Sequence, residues 1–180
     1  MNVTIRKPKS PLDWLSVRLL YHRAFPASER KPFSMIRRMT RAGRTDLWIA
    51  EVEGHFAGLA ATINGPEMIL LDYLAVHEKH RDQGVGGAFL KGLLNLYEGK
   101  GLFVEIEDPS RDDESGIKAR RKGFYLRNGL TDMGVTVMLF GVRMILMGRG
   151  CSLDFDGYRT FYRTNYNEWA AQHITPPEEN

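Results

Sequence analysis

Cysteine and long apolar runs are scarce in this chain. Cys151 is the one cysteine among 180 residues, which excludes an internal disulfide and a cysteine-based zinc site. The most apolar stretch, residues 135–147, is interrupted by Gly141 and Arg143 and falls short of the roughly 20 residues that a membrane-spanning helix needs. Residues 1–9 carry charges with no apolar run behind them, unlike a secretory signal. We therefore expect a cytoplasmic protein with no membrane partner. No spacing of His, Asp or Glu residues in the sequence suggests a metal site.

The composition is that of an ordinary globular domain. Hydrophobic residues make up 43% of the chain and charged residues 26%, which excludes a mainly disordered or fibrous protein. The positive charge is concentrated near the start, where residues 1–45 hold eleven Lys or Arg against Asp13 and Glu29. Such a basic segment can attract phosphates, nucleic acid or an acidic partner, or it can be a solvated helix surface with no partner.

Hydrophobic spacing predicts short strands alternating with helices in an α/β fold. Strands are predicted at residues 3–6, 47–52, 56–63, 68–76, 102–107, 135–140 and 142–147. Helices are predicted at residues 11–24, 33–41, 117–127 and after the glycine cluster near residue 86. Antiparallel hairpins come first and strand–helix–strand crossovers follow, which indicates one mixed sheet rather than a doubly wound parallel fold. This domain spans residues 1–150.

A stripe of aromatic side chains follows the domain at helical spacing. Its members are Phe155, Tyr158, Tyr162, Tyr166 and Trp169. The stripe predicts a helical extension over residues 151–174 that packs against the same domain, and packing against a second copy in a homodimer stays open. Residues 175–180, with two prolines, are expected to form a flexible tail.

The glycine turn, residues 81–87, is the most informative segment. It reads Arg-Asp-Gln-Gly-Val-Gly-Gly and lies between a predicted strand and a predicted helix. Glycines allow backbone angles and close approaches that a Cβ forbids, so successive N–H groups can converge on an anion at the helix N-terminus. A Walker loop would require a following Lys-Ser or Lys-Thr, and the dinucleotide fingerprint would require glycine where Phe89 stands. The turn is thus suited to a pyrophosphate outside both of those nucleotide-binding motifs.

The sequence here resembles the GCN5-related N-acetyltransferase (GNAT) superfamily. Leu74-Ala75-Val76 followed by Arg81-x-x-Gly84-x-Gly86 is similar to its acetyl-CoA motif, and residues 124–130, Phe-Tyr-Leu-Arg-Asn-Gly-Leu, are similar to its second signature. The resemblance implies a mixed, mostly antiparallel sheet of about six to seven strands with helices on both faces. It also implies acetyl-CoA as cosubstrate. The residues it places at the coenzyme are Leu74, Ala75, Val76, Arg81, Asp82, Gln83, Gly84, Val85, Gly86 and Gly87.

Three features depart from the family pattern. Asp82 stands where the family often has glycine, which puts a carboxylate beside the expected phosphate site. Leu130 replaces an aromatic residue, and residues 108–116 form a longer acidic connection than a compact member would carry. None of these changes removes a group that the chemistry needs.

Acetyl transfer from a thioester to an amine needs a base near the amine and an acid near the sulfur. The resemblance places Tyr125 next to the sulfur, where its phenol can donate to the developing thiolate. Period two puts Glu105 and Glu107 on one face of a strand, where each carboxylate would disfavour ionisation of the other and so raise one pKa. Glu105 is the first candidate base, with Glu107 and Asp72 as alternatives. The backbone amides of residues 74–76 would polarise the thioester carbonyl.

The acceptor is not specified by these residues. The arginines at 37, 38, 41 and 44 suit an anionic group, whereas the acidic residues from 105 to 114 suit a cationic amine. A small-molecule amine and a protein amino group therefore both stay open. The alternatives to an N-acetyltransferase are a non-catalytic acyl-CoA-binding module and, less favoured because no binding motif is present, a nucleic-acid binder using the basic N-terminal helices.

Overall fold

A computed structural model of the chain describes residues 2–111 and 113–177. Its strands in chain order are β1 Val3–Arg6, β2 Thr45–Val52, β3 His55–Asn64, β4 Met68–Val76, β5 Gly101–Glu107, β6 Thr131–Leu139, β7 Val142–Arg149 and β8 Ile174–Thr175. Its α-helices are α1 Pro11–Ala24, α2 Phe33–Arg41, α3 Val85–Leu96, α4 Ile117–Arg127, α5 Phe155–Asn165 and α6 Glu168–Gln172. A short 3₁₀ turn covers Glu78–His80.

The strands form one mixed sheet in the order β1-β2-β3-β4-β5-β7-β6-β8. The β4–β5 pair is parallel, over Met68–Leu70 and Gly101–Phe103, whereas the pairs β1–β2, β2–β3, β5–β7, β6–β7 and β6–β8 are antiparallel. The predicted α/β fold with a mixed, mostly antiparallel sheet is therefore confirmed. The eighth strand is β8, which pairs two residues with β6 and includes Thr175 from the expected tail. Residues 178–180 of that tail lie outside the described residues.

By its internal contacts the chain forms two compact units. The first comprises the residues up to Asn64 together with Leu71–Glu98, and the second comprises Gly65–Leu70 together with the residues from Gly99 onward. Strand β4 contributes its first three residues to the second unit and the remainder to the first.

The first unit is built around an apolar core on one face of its strands. This core contains Val17, Leu20, Tyr21, Ile36, Leu47, Ile49, Leu59, Ala61, Tyr73 and Ala75. Helix α1 starts at a capping box in which Ser10 and Asp13 satisfy each other's backbone amides. The helix lies where its spacing predicts, yet Leu12, Leu15 and Leu19 are exposed, because the buried side of α1 is the one that carries Val17, Leu20 and Tyr21.

Helix α3 contributes a separate apolar side to the first unit. Phe89, Leu90 and Leu93 are fully buried. A Cβ at Gly58 of β3 would lie 2.7 Å from the Ala75 carbonyl oxygen and 3.5 Å from the Phe89 ring. Glycine at position 58 therefore allows the close backbone approach that seats β4 and α3 against β3.

The second unit packs α5 on its strands. The Phe103 ring of β5 lies 6.4 Å from the Tyr158 ring and 5.0 Å from the Phe161 ring. The predicted single aromatic helix is divided, since α5 ends at Asn165 and α6 starts at Glu168 after an extended residue. That residue is Asn167, whose side chain accepts a hydrogen bond from the Ala170 amide at 2.6 Å and so starts a new helix. In the described part of the chain no helix combines the length and apolarity needed to cross a membrane.

Candidate active site

The backbone of the glycine turn is arranged to leave amides unpaired. Gly84 is the N-cap residue of α3, with φ +79°, and it has no side chain with which to cap the helix. The amides of residues 84–87 donate no hydrogen bond to any of the described residues, and the first amide after them, that of Ala88, donates to the Gly84 carbonyl at 3.0 Å. The turn therefore presents several free N–H groups at the positive end of a twelve-residue helix, which is the arrangement that binds phosphate oxygens.

Side chains around the glycine turn brace its shape. The Gln83 amide donates to the Lys79 carbonyl at 2.8 Å, and the Arg81 Nε donates to the Val76 carbonyl at 3.3 Å. Both acceptors are backbone atoms of the segment that leads out of β4. These two contacts fix the turn without using its free amides.

The backbone conformation of Asp82 is one that usually requires glycine. Its φ is +59°, in the left-handed region where glycine is favoured and aspartate is one of the better tolerated alternatives. The side chain is exposed. The departure from the family pattern therefore keeps the turn geometry but adds a solvated negative charge beside the free amides.

Asp72 lies on β4 upstream of the turn and is engaged in an ion pair. The Lys31 Nζ lies 2.6 Å from both carboxylate oxygens of Asp72, and the two side chains are 18% and 12% exposed. Farther along β4, Leu74 and Val76 are half-buried and share the face of Asp72, whereas Tyr73 and Ala75 point into the core of the first unit.

Tyr125 lies on α4 in the second unit. The residue is 8% exposed, its ring lies 5.1 Å from that of Phe124, and its hydroxyl makes no hydrogen bond with any described residue. Burial raises the pKa of Tyr125 to about 12, against a smaller opposing effect of Arg121 one helical turn earlier. The phenol is therefore neutral at physiological pH and holds an uncommitted proton.

The chain reverses directly after this helix. Gly129 has φ +86°, and the Leu130 amide donates to the Tyr125 carbonyl at 3.1 Å. Leu130 is 1% exposed, so the residue that replaces the family's aromatic is a buried core residue. Helix α4 ends at Arg127, where the sequence predicts its end.

Glu105 and Glu107 of β5 each have their own partners. Glu105 Oε1 accepts hydrogen bonds from the hydroxyls of Tyr158 and Tyr162, both at 2.7 Å. Glu107 Oε2 lies 3.1 Å from the Lys118 Nζ. Tyr158 and Tyr162 are 0% and 2% exposed, so both hydroxyls meet Glu105 inside the fold.

The two tyrosines on α5 are residues that sequence reasoning did not assign to the site. Their four-residue spacing in the aromatic stripe indicated a packed helix face. Two hydroxyls on a buried face need a polar partner, and this was the signal in the sequence that could have pointed to a contact with the site. Which carboxylate they meet depends on α5 folding back onto β5, more than fifty residues earlier in the chain.

The acidic connection at residues 108–116 is partly committed to structure. Asp108 Oδ2 accepts from the Arg143 Nε at 2.9 Å, and Asp113 accepts from the amides of Lys118 and Ala119 at the start of α4. Burial alone would raise the pKa of Asp108, but hydrogen bonds from Ser110 and Arg143 outweigh it and lower that pKa. These carboxylates therefore shape the loop and cap α4, and Asp112 between them lies outside the described residues.

The predicted site residues divide between the two units. The first unit contains Asp72, residues 74–76 and the glycine turn, and the second contains Glu105, Glu107 and Tyr125. Among residues 2–111 and 113–177, no three His, Cys, Asp or Glu side chains gather in a way that could hold a metal ion.

Comparison with known protein families tests the resemblance drawn from the two motifs. The family described as "Acetyltransferase (GNAT) domain" matches residues 43–130, which include β4, the glycine turn, β5 and Tyr125. Residues 43–130 of the chain match a GNAT acetyltransferase domain. The resemblance drawn from the two motifs is thereby confirmed.

Solved structures share the fold of this GNAT domain. A protein assigned to the GNAT acetyltransferase family from Bacteroides thetaiotaomicron matches with a TM-score of 0.76 and 20% identity, over 93% of this chain and 99% of that one. The ribosomal-protein-S18-alanine N-acetyltransferase from Escherichia coli matches with a TM-score of 0.56 and 19% identity, over 84% and 96% of the two chains.

A third structure contains the coenzyme. An aminoglycoside 6'-N-acetyltransferase complexed with coenzyme A matches with a TM-score of 0.61 and 15% identity, over 83% of this chain and 96% of that one. Identities at this level establish the fold alone. No curated protein matches the sequence.

Proposed function

We propose that this chain is an acetyl-CoA-dependent N-acetyltransferase that transfers the acetyl group to a primary amine by direct attack. The observation that carries the proposal is the set of unpaired amides at the left-handed Gly84, inside a GNAT domain. These amides and the positive end of α3 suit the pyrophosphate of acetyl-CoA. Arg81 and residues 74–76 complete the set of groups that the resemblance assigns to the coenzyme.

Tyr125 is proposed as the acid. In the reaction the amine nitrogen bonds to the acetyl carbon, the carbon–sulfur bond breaks, and the sulfur leaves as a thiolate that a hydrogen-bond donor stabilises. The neutral and uncommitted hydroxyl of Tyr125 suits that role. Its high pKa makes hydrogen bonding to the thiolate the dominant contribution, because a free thiol has a pKa of only about 8.5.

Glu105 is proposed as the base that takes the proton from the amine. Protonating Asp72 or Glu107 would break an ion pair with Lys31 or Lys118. The contacts of Glu105 with Tyr158 and Tyr162 are of another kind, because a phenol can reorient and accept a hydrogen bond from a protonated carboxyl. Two phenol partners that can follow a change in its protonation support Glu105 as the base.

The coenzyme part of the proposal is tested by calorimetric titration of CoA into Gly86→Glu. A side chain and a negative charge in the glycine turn should abolish CoA binding. Asn95→Glu is the matched control, since it adds the same carboxylate to an exposed position of α3 about 13 Å along the helix axis. Equal CoA affinity in Gly86→Glu and the parent protein would contradict the assignment of the glycine turn.

The transfer part is tested by following free thiol from acetyl-CoA with a panel of primary amines. The panel includes a peptide beginning with alanine and an aminoglycoside, because structural relatives carry those activities in their names. Thiol release that depends on one class of amine supports an N-acetyltransferase. CoA binding without release for any amine would favour the non-catalytic acyl-CoA-binding module instead.

A further inference from the structure

The ion pair between Lys31 and Asp72 places a primary ammonium on a carboxylate of the candidate site. Lys31 lies in the linker, residues 25–32, which joins α1 to α2 and contains no helix or strand. Its Nζ lies 2.6 Å from each oxygen of Asp72 and 5.3 Å from the centre of the Tyr73 ring. A carboxylate and an aromatic face together form an environment that selects an alkylammonium ion.

The linker is held by its backbone as well as by this side chain. The Lys31 amide donates to the Tyr73 hydroxyl at 3.1 Å, and the Tyr21 hydroxyl donates to the Lys31 carbonyl at 3.0 Å. The Tyr73 hydroxyl in turn donates to the Glu29 carbonyl at 2.9 Å. These contacts involve only main-chain atoms of the linker, so the Lys31 ammonium can leave Asp72 without releasing the linker from its phenol partners.

The position of Asp72 connects this contact to the proposed reaction. Asp72 shares one face of β4 with Leu74, about 7 Å farther along the strand, where the amides assigned to the thioester begin. The pair also reaches solvent, since its side chains are 18% and 12% exposed. A small cation can therefore approach the carboxylate.

Resting on the proposed function, we propose that Asp72 and Tyr73 form the subsite for the ammonium group of the acceptor, and that Lys31 occupies it when no acceptor is bound. The acceptor class is then a cationic alkylamine, which has the chemistry of the lysine side chain that it displaces. Occupation by Lys31 lowers the apparent affinity by the fraction of time that the subsite is open. An open fraction of about 1–10% would weaken acceptor binding about 10–100-fold.

The experiment is a chemical rescue of the Lys31→Ala variant with n-butylammonium chloride. The rescue is measured as the change in Tm on thermal unfolding in the absence of acetyl-CoA. The substitution removes the occupant and leaves the backbone contacts of the linker in place. Butylammonium should raise the Tm of the variant saturably, by about 5–10 °C at a concentration 100-fold above its Kd. Sodium chloride at equal ionic strength and 1-butanol should not, and adding Asp72→Asn to the variant should abolish the rise.

Lys7→Ala is the matched control. Lys7 also pairs with a carboxylate, Asp46, and lies 5.1 Å from the centre of an aromatic ring, that of Trp48, but its side chain is 55% exposed. No saturable rescue is expected there. Rescue of both lysine variants alike, rescue by butanol, or no rescue at all would overturn the proposal and leave the pair as a structural bridge.

A second measurement applies if Lys31→Ala does not fold. Butylammonium is titrated into the unaltered protein, and the amide NMR signals of linker residues 27–31 should shift saturably; signals that move no more than with sodium chloride would overturn the proposal. Because both binding measurements omit acetyl-CoA, their failure is distinct from a failure of the proposed function. In the folded variant, the KM for n-butylamine should fall at least tenfold with kcat little changed, and an unchanged KM would contradict the subsite as an acceptor site.

Discussion

Replacing Tyr125 with phenylalanine should separate catalysis from folding. The substitution removes one oxygen from a ring that is 8% exposed and packed against Phe124. Because that hydroxyl has no hydrogen-bond partner among the described residues, the free energy of unfolding should change by less than about 0.5 kcal/mol. A hydrogen bond to a charged group contributes about 1.5–3 kcal/mol, so loss of the donor to the thiolate should lower kcat about 10–150-fold.

Tyr97→Phe is the control for Tyr125→Phe. The same chemical change should here lower stability and leave kcat unchanged. Its hydroxyl accepts from the Trp48 Nε1 at 2.9 Å, donates to Asp46 at 3.0 Å and contacts the Thr62 hydroxyl at 2.9 Å. Removing the oxygen takes the hydrogen-bond partner of the Trp48 Nε1 and one contact each from Asp46 and Thr62, which should cost about 1–3 kcal/mol of unfolding free energy. The kcat of Tyr97→Phe should stay close to that of the parent.

The assays are thiol release under saturating acetyl-CoA and amine, and urea unfolding at the same pH. Since the folded-state pKa of Tyr125 is about 12 and its ordinary value is 10.0, the phenol stays protonated across any practical assay range. Its contribution to stability is complete below pH 10 and is lost as the pH rises towards 12. Equal kcat for Tyr125→Phe and the parent would refute the acid role, and a loss of stability as large as that of Tyr97→Phe would show that the hydroxyl has a partner within the fold.

Substitutions at three other positions test the charges and contacts described above. Asp82→Asn removes a charge beside the glycine turn and keeps a residue that tolerates positive φ. The CoA affinity measured by calorimetry should therefore rise about two- to fivefold, and Asp82→Gly should show the same rise. Unchanged affinity in both variants would show that the charge does not reach the phosphates. Tyr158→Phe removes a buried donor to Glu105 and should lower the unfolding free energy in urea by about 1–3 kcal/mol, a reading that an unchanged midpoint would contradict. Hydrogen bonds from Arg6 and then from backbone amides hold the pKa of Asp13 well below its usual value of 3.8, so its stabilisation is present above that pH and is lost as the pH falls below it. Asp13→Asn should therefore cost about 1–3 kcal/mol at pH 7 and less at pH 2, and an equal loss at both would exclude the charge as the cause.

Local patterns predicted the elements well because their causes are local. Helix α2 and strands β1 and β4 have the predicted bounds, and β2 and β3 form a predicted antiparallel hairpin. Its turn contains Glu53 and Gly54, which both have positive φ. The glycine turn belongs to the same class of prediction, because its free amides follow from the left-handed Gly84 and the start of α3. Periodicity, capping residues and turn residues act within a few positions of the chain.

The partners of the candidate carboxylates are not local and were not predicted. Glu105 meets Tyr158 and Tyr162 of a helix more than fifty positions later, and Asp72 meets Lys31, forty-one positions earlier. Period two could show that Glu105 and Glu107 share a face of their strand, but it could not show that each has a separate partner. Helical spacing likewise located α1 but not the side of it that is buried.

The amino-acid sequence by itself determined the order of the elements, the glycine turn and the family, because each depends on residues adjacent in the chain. The tertiary structure alone decided which hydroxyls and ammonium groups contact the carboxylates of β4 and β5. The physical reason is that such contacts are set by how distant segments pack their apolar sides together. A polar group carried on those segments then meets whatever partner the packing brings to it.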